Sequence, residues 1–321
     1  MFKVKNEIVL DSVEMRSAFC QTLIDMAKAD ERIVALDADL MGAMGTIPFR
    51  TAFPDRTIDC GIQEANMIGV AAGLSARGKI PFAHTFGTFA SRRACDQIAL
   101  SCAYAGLNVK IMGSDPGVTA ALNGGTHMAL EDLGIMRGIP EITVVEPTDV
   151  VMLQNLLPQL KDAYGVAYIR LVRKNCESIY EEGSSFEIGK ANLLADGKDV
   201  TIIAMGYCVS QALLAKQELE KKGISARVVD MFTLKPLDRQ AVIDAAKATG
   251  AIVTAENHYI NNGLGSAVAE VLCEEYPVPM VRVGVKDHFG EVGDRDFLAD
   301  KFGINAKAIV SAAMEVIAKK K

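Results

Sequence analysis

The sequence predicts an α/β protein built of two doubly wound, mostly parallel sheets that follow one another along the chain. Three observations carry this prediction. Short apolar runs alternate with segments of helical periodicity, which is typical of parallel sheets covered by helices on both faces. The alternation is interrupted once, by the polar stretch NCESIYEEGSSFEIGK at 175–190, and then resumes. The length of 321 residues exceeds what one typical core needs and accommodates two domains.

The first domain is predicted to span residues 1–178. It opens with an amphipathic helix over 11–29, because Met15, Phe19 and Leu23 recur on one face at helical spacing. The next apolar run, RIVALDAD, is predicted to be a buried strand that ends in carboxylates, and ligands bind at such strand ends in open α/β sheets. Strands are predicted at 32–39, 79–85, 108–113, 141–146 and 165–172. The further helices are predicted at 61–78, 86–105 and 149–160.

The second domain is predicted to span residues 190–321, after the polar boundary at 175–190, which has no sustained period. A second α/β cycle follows there, so another parallel sheet with covering helices is expected. Its strands are predicted at 199–204, 226–230, 251–256 and 279–285. Its first helix is predicted to end at Lys222, and three more helices are predicted at 238–249, 265–275 and about 305–318.

Composition and charge narrow the class of protein. The net charge of −6 argues against a nucleic-acid-binding protein, and the hydrophobic and charged fractions of 50% and 23% are ordinary for a soluble globular chain. No apolar window approaches the length of a membrane span, so no membrane association is expected. Seven cysteines without a CxxC pair indicate reduced core residues, which predicts a cytoplasmic protein.

Residues with metal-ligand spacing are sparse. His127 and Glu131 are four residues apart and could flank a metal on one helix, but the chain has four histidines and offers no third ligand at a regular spacing. We therefore predict no metal site in this chain. The GLGS sequence at 263–266 opens a predicted helix, yet the third glycine of a dinucleotide-binding fingerprint is missing.

The stretch GIQEANMIGVAAGLSARG at 61–78 contains the first candidate for chemistry. Glu64 lies in the first turn of its predicted helix, where an acid ordinarily balances the helix dipole. Phe86 and Phe89 are three residues apart at the start of the next helix, and such a pair belongs either to a core or to a platform for a flat ring. Because these residues and the loop 123–127 all follow predicted strand ends, they should meet at one rim of the sheet.

The order of the motifs along the chain resembles a known family. RIVALDADL, DCGIQEANM, HTFGTFASRRACDQ, NGGTH, EPTD and IRLVRK follow one another as in the pyrimidine-binding domain of transketolase. Residues 190–321, with TAENHYINNGLGSAVAE and VKDHFGEVGDRDFLADKFGI, resemble the transketolase C-terminal domain. Together these matches cover nearly all of the chain. The overall resemblance is to the C-terminal half of a split transketolase, with 1-deoxyxylulose-5-phosphate synthase and the β subunits of 2-oxoacid dehydrogenases as more distant relatives.

The resemblance implies a cofactor and a partner. In that family thiamine diphosphate lies between two chains or domains, one of which supplies the diphosphate and Mg²⁺ site and the other the aminopyrimidine site. This chain matches only the second, because the family's GDG motif followed by an Asn does not occur in it. A separate N-terminal transketolase subunit is therefore expected to hold the Mg²⁺ and the diphosphate. Two copies of each chain would form an α2β2 heterotetramer, in which this chain also contacts its own copy.

The resemblance also implies roles for residues near the cofactor. Glu64 matches the catalytic glutamate that hydrogen-bonds the pyrimidine nitrogen N1′ and so activates the cofactor. Phe89 matches the residue that stacks on the aminopyrimidine, and Phe86 matches a second wall of that pocket. Asp39 matches an acid close to the cofactor, whereas Arg92 aligns with the family's third aromatic residue.

A second group of residues matches positions that contact the sugar. His127 matches a histidine that can exchange protons with sugar hydroxyls. Arg16 and Arg173 match the two arginines that hold the terminal phosphate of a sugar-phosphate substrate, because a planar guanidinium suits a tetrahedral anion. Asn123 aligns with an aspartate that faces a substrate hydroxyl, and the family's phosphate-binding histidine falls near Ser114.

Departures at the sugar end leave three functions open. The family's phosphate-contacting serine aligns with Ala43, so an unusual acceptor or a different terminal anion is possible. The first hypothesis is transfer of a two-carbon ketol unit from a ketose to an aldose, as part of carbohydrate metabolism such as the pentose phosphate pathway. The second is a decarboxylating enzyme of the synthase or 2-oxoacid dehydrogenase type, which the pair Arg170 and Arg173 also resembles. The third is a non-catalytic scaffold subunit.

Overall fold

The computed structural model describes residues 1–320, so Lys321, the last residue of the predicted second domain, lies outside the described residues. These residues form a seven-stranded sheet, a five-stranded sheet and a two-stranded ribbon. Helices cover both large sheets, and most neighbouring strands run parallel. The predicted α/β class with two doubly wound, mostly parallel sheets is therefore confirmed.

The secondary-structure elements are numbered here in chain order. The strands β1 to β14 are Val4–Leu10, Ile33–Asp37, Thr57–Asp59, Ile80–Phe86, Lys110–Ser114, Ile142–Val145, Val166–Leu171, Glu177–Tyr180, Asn192–Ala195, Val200–Ala204, Ala226–Asp230, Thr233–Lys235, Ile252–Tyr259 and Met280–Val285. The helices α1 to α12 are Met15–Ala29, Met41–Met44, Ile47–Ala52, Glu64–Ala76, Gly87–Arg92, Asp132–Gly138, Val150–Asp162, Tyr207–Glu220, Arg239–Thr249, Leu264–Glu274, Arg295–Phe302 and Ala306–Ala318. A π-helix covers Gln97–Tyr104, and 3-10 turns cover Pro54–Arg56 and Gly117–Asn123.

The seven-stranded sheet has the strand order β12-β6-β7-β5-β4-β2-β3, and all its strands except β12 are parallel. Its central strands are buried along their whole length because helices cover both faces, so they consist almost entirely of apolar runs. At their carboxyl ends Phe86 pairs with Ser114, and Ser114 in turn pairs with Leu171. This edge of the sheet is where the candidate functional residues lie.

One strand of this sheet comes from the second half of the chain. β12 runs antiparallel to β6, with Thr233 opposite Val145 and Lys235 opposite Val144. The sequence pattern predicts no strand at 233–235, because three residues show no measurable periodicity. The pairing joins residues on either side of the predicted domain boundary, so the two halves share a sheet edge.

The polar boundary segment also contains a strand that sequence periodicity missed. β8 pairs antiparallel with the N-terminal strand β1, and Asp149 ties β8 to helix α7. Its Oδ1 accepts the N–H of Met152 at 2.9 Å, while Oδ2 accepts the N–H groups of Ile179 and Tyr180 at 2.9 and 2.8 Å. One carboxylate thus stabilises the two-stranded ribbon through three backbone hydrogen bonds. The strand β8 therefore does not need a strong hydrophobic pattern of its own.

The five-stranded sheet has the order β14-β13-β10-β11-β9, and only β9 runs antiparallel. Helices α8 and α12 pack together on one face, and α9 and α10 pack together on the other. The predicted strand 226–230 is observed unchanged, and the predicted helix 238–249 begins one residue later, after its N-cap Asp238. Within residues 1–320, none of the helices combines the length and hydropathy that a bilayer crossing needs.

Two predicted helices differ from the observed ones at the functional edge. The predicted helix 61–78 begins at Glu64, and the predicted helix 86–105 divides into α5, which ends at Arg92, and the π-helix over 97–104. Helix α11, which the sequence pattern did not predict, follows its N-cap Asp294, whose carboxylate accepts the N–H of Phe297 at 2.8 Å. These differences are local, and they leave the predicted strand ends in place.

Candidate active site

Glu64 is a buried carboxylate at the start of helix α4. Its residue is 4% exposed, and its Oε1 accepts a hydrogen bond from Nη1 of Arg93 at 2.9 Å. The chain enters the helix through Gly61, whose φ of +68° is a conformation that glycine adopts without strain. An acid at this first position is favoured by the exposed backbone N–H groups of the helix start. The sequence therefore places a carboxylate, a hydrogen-bond acceptor, in a buried position at the start of the helix.

Three rings form a cluster beside this carboxylate. Phe86 ends strand β4, Phe89 lies one turn later in α5, and His127 comes from the loop after the 3-10 turn. The centroid of His127 is 5.2 Å from each phenylalanine ring, and the two phenylalanine rings are 5.7 Å apart. All three pairs meet edge to face, the arrangement that the quadrupoles of aromatic rings favour. The predicted meeting of these residues at one rim is observed.

The loop that carries His127 is held from the second half of the chain. A Cβ atom on Gly125 would overlap the backbone of Gly290, and one on Gly124 would lie 2.9 Å from Val292. Only glycines allow the segment 290–292 to approach this closely. The N–H of His127 also donates to the carbonyl of Gly124 at 3.0 Å, which tightens the turn. The position of the imidazole thus depends on contacts between the two halves.

A second group of polar side chains lies next to the ring cluster. Nε of Arg173 is 3.2 Å from Oδ1 of Asp115, and Nδ2 of Asn123 donates to Oδ2 of the same carboxylate at 3.2 Å. The Arg173 guanidinium carbon is 5.4 Å from the centroid of Phe86, which connects this group to the rings. Burial raises the pKa of Asp115, and its contacts with Arg173 and Asn123 oppose that effect. The arrangement holds a guanidinium in a fixed direction at the edge of the site.

Asp115 was not among the predicted site residues. It directly follows strand β5 and has a φ of +59°, which turns its carboxylate back toward the sheet edge. The signal in the sequence was the polar SDPG segment at the end of a predicted strand. Periodicity could locate that strand end, but it could not tell which side chain of the turn points inward.

Arg16 and Arg173 are brought together by the backbone. The N–H of Arg16 donates to the carbonyl of Arg173 at 3.3 Å, at the start of helix α1. The Arg16 side chain then binds Glu14 through Nε at 2.6 Å and the carbonyl of Ala43 through Nη1 at 2.8 Å. The two arginine side chains are 21% and 15% exposed, so both can be reached from solvent. The structure thus makes neighbours of two residues that are far apart in the first half of the chain.

Three other predicted site residues lie outside these contacts. Asp39 is exposed, and its backbone N–H donates to the carboxylate of Asp59 at 2.9 Å. Arg92 forms an ion pair with Glu131 at 2.9 Å, and Ser114 is buried with its hydroxyl 3.4 Å from a methionine sulfur. Their roles remain predictions. The guanidinium that reaches the Glu64 carboxylate belongs to Arg93, the residue after the predicted Arg92.

Arg170, which the decarboxylating hypothesis also relies on, is completely buried. It binds Asp132 at 2.8 Å and Glu146 at 3.0 Å, and it donates to the carbonyl of Asn257 at 3.0 Å. These contacts use its guanidinium to compensate buried charges and to join the two halves. A side chain in this position supports the fold beneath the site and is not available to a substrate.

No group of three potential metal ligands occurs among residues 1–320. His127 and Glu131, considered above as a pair, have different partners. The imidazole Nδ1 is 2.9 Å from the hydroxyl of Thr126, whereas the carboxylate of Glu131 pairs with Arg92. The groups that meet at this edge of the sheet are a carboxylate, an imidazole, two phenylalanine rings and guanidinium groups.

Comparison with known proteins agrees with this geometry. Residues 11–178 match the transketolase pyrimidine binding domain, and residues 189–309 match the transketolase C-terminal domain. A 6-deoxy-6-sulfo-D-fructose transketolase subunit from a Clostridium species is 55% identical over 314 residues, which is 98% of each chain. An apulose-4-phosphate transketolase subunit from Phocaeicola vulgatus is 36% identical over 308 residues, covering 96% of this chain and 98% of that one.

A solved structure extends the similarity to three dimensions. The structure described as a split gene transketolase, inactive beta4 tetramer, superimposes with a TM-score of 0.90 at 44% identity, covering 97% of this chain and 100% of the other. Sequence, domain order and tertiary structure thus agree over almost the whole length. The chain belongs to the transketolase family, in which it resembles the subunits that carry the pyrimidine-binding and C-terminal domains.

Proposed function

We propose that the chain is the pyrimidine-binding and C-terminal subunit of a thiamine-diphosphate-dependent transketolase, which transfers a two-carbon ketol unit from a ketose to an aldose. One observation carries the proposal. The buried carboxylate of Glu64 and the ring of Phe89 are bridged by a single guanidinium, within the cluster that also contains His127. An acceptor beside an aromatic face is what an aminopyrimidine ring requires.

The residues present fit that cofactor fragment. The guanidinium of Arg93 is flat, carries N–H donors and lies 3.9 Å from the centroid of Phe89 while it binds Glu64. An aminopyrimidine is also flat, and its ring nitrogen N1′ can share a proton with a carboxylate, so the same two groups would hold it. When bound, thiamine diphosphate supplies the nucleophilic carbon for ketol transfer. Glu64 would share a proton with N1′ of the pyrimidine, and Phe89 would orient the ring.

The other residues act on the sugar. His127 is partly buried against the two phenylalanine rings, so its imidazole is held in one orientation from which it can exchange a proton with a sugar hydroxyl. Arg173, held by Asp115, and the adjacent Arg16 present guanidinium groups to an anionic end of the substrate. The separation into a cofactor side and an anion side would fix the direction of the sugar in the site.

The part of the site that contains Arg16 and Arg173 favours a substrate whose terminal group carries a single negative charge. Arg16 and Lys174 share the carboxylate of Glu14, and Arg173 is paired with Asp115, so these three cations and two carboxylates leave one net positive charge. A sulfonate carries one charge, whereas a phosphate carries about 1.5 to 2 at neutral pH. The relative at 55% identity is named for a sulfonated fructose, and the one at 36% for a phosphorylated sugar. We propose a ketose with a terminal sulfonate as the donor, with a ketose phosphate as the second candidate.

The proposed assembly follows from the resemblance. Two matched relatives are named as subunits and the matched structure as a split-gene protein, which supports an N-terminal partner that holds Mg²⁺ and the diphosphate. We propose an α2β2 complex with contacts between two copies of this chain. The described cysteines are all free thiols, which is compatible with the reducing cytoplasm that we propose as its location.

The test is reconstitution with the N-terminal subunit encoded nearest to this chain. Ketol transfer from 6-deoxy-6-sulfofructose and from fructose 6-phosphate would be measured with wild-type protein and with Glu64→Gln. Transfer that depends on Glu64 supports the proposal, and the ratio of the two donors decides the anion. Consumption of pyruvate instead would favour the decarboxylating hypothesis. Cofactor binding without turnover on a broad sugar panel would favour the scaffold.

A further inference from the structure

Arg93 engages both groups that the proposed cofactor ring needs. Its Nη1 is 2.9 Å from Oε1 of Glu64, and its Cζ lies 3.9 Å from the centroid of Phe89. The slot between that carboxylate and that ring is therefore filled by a flat group with N–H donors. A pyrimidine that bonded to Glu64 and stacked on this face of Phe89 would need the same volume.

We propose that Arg93 occupies the aminopyrimidine position in the free chain and leaves it when the cofactor binds. This inference rests on the proposed function and goes beyond it, because it assigns two states to the site. In the first state the guanidinium neutralises Glu64 and covers Phe89. In the second the guanidinium points to solvent, and Glu64 and Phe89 are open to the ring.

The structure explains why Glu64 needs a partner in the free chain. The carboxylate is 4% exposed and lies at the start of α4 among buried residues. A buried charge without a hydrogen-bonding partner is strongly destabilising. Arg93 provides the compensating charge from the segment that follows α5, so the site does not have to wait for the cofactor in order to fold.

Both neighbouring arginines are half exposed, and the smaller number of side-chain partners makes Arg93 the movable one. The Arg93 side chain is 50% exposed, and among residues 1–320 its side-chain hydrogen bonding is limited to Glu64. It can therefore rotate into water without leaving other groups unsatisfied. Arg92 instead binds Glu131 at 2.9 Å and also contacts the hydroxyl of Thr88. A ring that enters the slot thus displaces one half-exposed side chain whose single hydrogen-bonding partner is Glu64.

The quantitative consequence is competition. When a ligand must displace a resident group, its apparent affinity is its intrinsic affinity multiplied by the fraction of time that the slot is empty. Removing the Arg93 guanidinium should therefore tighten binding of the pyrimidine, by about tenfold if the slot is filled some nine-tenths of the time. A guanidinium that instead stacked on the bound ring would make its removal weaken binding, so the sign of the change decides the mechanism.

The experiment titrates thiamine, which lacks the diphosphate, into the full chain by isothermal titration calorimetry. The variants are Arg93→Ala and the matched control Arg56→Ala. Arg56 has the same cation–π geometry, with its Cζ 3.9 Å from the centroid of Phe53, but it binds the backbone of Ala27 and Asp30. We expect Arg93→Ala to bind thiamine about tenfold more tightly than wild type and Arg56→Ala to be unchanged.

A second readout follows the side chain itself. In the wild-type chain the ring of Phe89 should shift the NMR signals of the Arg93 guanidinium protons upfield. When thiamine is added, their chemical shifts should move to the values of a guanidinium exposed to solvent. Equal or weaker binding by Arg93→Ala, with thiamine still lost on Glu64→Gln, would refute displacement and leave the proposed cofactor site standing. Failure of thiamine diphosphate to bind wild type and Arg93→Ala, even with the N-terminal subunit present, would overturn both proposals.

Discussion

Asn257 holds the backbone of Val118 across the junction of the two large sheets. Its Oδ1 accepts the N–H of Val118 at 2.9 Å, and its Nδ2 donates to the carbonyl of Pro116 at 2.7 Å. Asn257 lies on β13, whereas the segment 116–118 directly follows Asp115 at the candidate site. Gly117 has a φ of +47°, and a Cβ atom there would overlap the Asn257 side chain. The second sheet therefore shapes the turn that follows Asp115, the residue whose carboxylate contacts Arg173.

Replacing Asn257 by Ala should destabilise the fold by about 2–4 kcal/mol, because one buried N–H and one buried carbonyl lose their partners. Urea unfolding measures the loss, and faster amide exchange at Val118 locates it. Asn261→Ala, an exposed position two residues beyond β13, is the matched control. If both variants unfolded at the same urea concentration, the contact would contribute little.

Replacing Glu64 by Gln should lower ketol transfer by about a hundredfold or more in the assembled enzyme, because an amide cannot share a proton with the pyrimidine as a carboxylate does. Steady-state rates on the sulfonated donor measure the effect. Glu31→Gln removes a carboxylate at an exposed position and should leave the rate unchanged. Full activity in Glu64→Gln would contradict the proposed role of the residue.

Replacing Arg173 by Ala should raise KM for a donor with a terminal sulfonate or phosphate by about tenfold, since a charge-assisted hydrogen bond is lost. A ketose without a terminal anion, such as erythrulose, serves as the internal control because it never uses this contact. Its KM should stay the same in both proteins. An equal rise for both donors would mean that Arg173 acts through Asp115 on the whole site.

Stability should fall as the pH rises from about 4 to 7, and Asp230 should be one cause. Burial raises the pKa of this carboxyl to about 7, although hydrogen bonds from Tyr180 and Thr148 oppose the shift. The native state then holds a proton that the unfolded chain, with its lower pKa, has released. Native stability is therefore greatest below the unfolded pKa, decreases through this window and levels off above about 7.

Asp230→Asn should remove this contribution. Urea unfolding from pH 5 to pH 8 should give a smaller loss of stability than in wild type, by at most about 3 kcal/mol, because about two pH units lie between pH 5 and the native pKa of about 7. The exposed Asp244→Asn should leave the wild-type slope. Parallel pH profiles for wild type and Asp230→Asn would show that this carboxyl is ionised in the native state at all these pH values.

Periodicity and strand-end position determined much of the fold and the candidate site. Long apolar runs such as the strand at 80–86 leave little choice of structure, because each residue is buried on both sides of the sheet. Parallel strands also share one carboxyl edge, so the sequence alone could bring Phe86, Phe89 and His127 to a common rim. The motif order then identified the family.

The pairing of short strands and the direction of individual side chains could not be predicted from the sequence. The strands at 177–180 and 233–235 are stable because Asp149 and strand β6 hold them, and such partners come from distant parts of the chain. The same holds at the site. Whether Arg92 or Arg93 meets Glu64 depends on which side chain the end of helix α5 turns inward, a matter of packing that local pattern does not encode. The sequence alone thus determined the elements and their edge, whereas the tertiary structure decided which neighbouring side chains face one another.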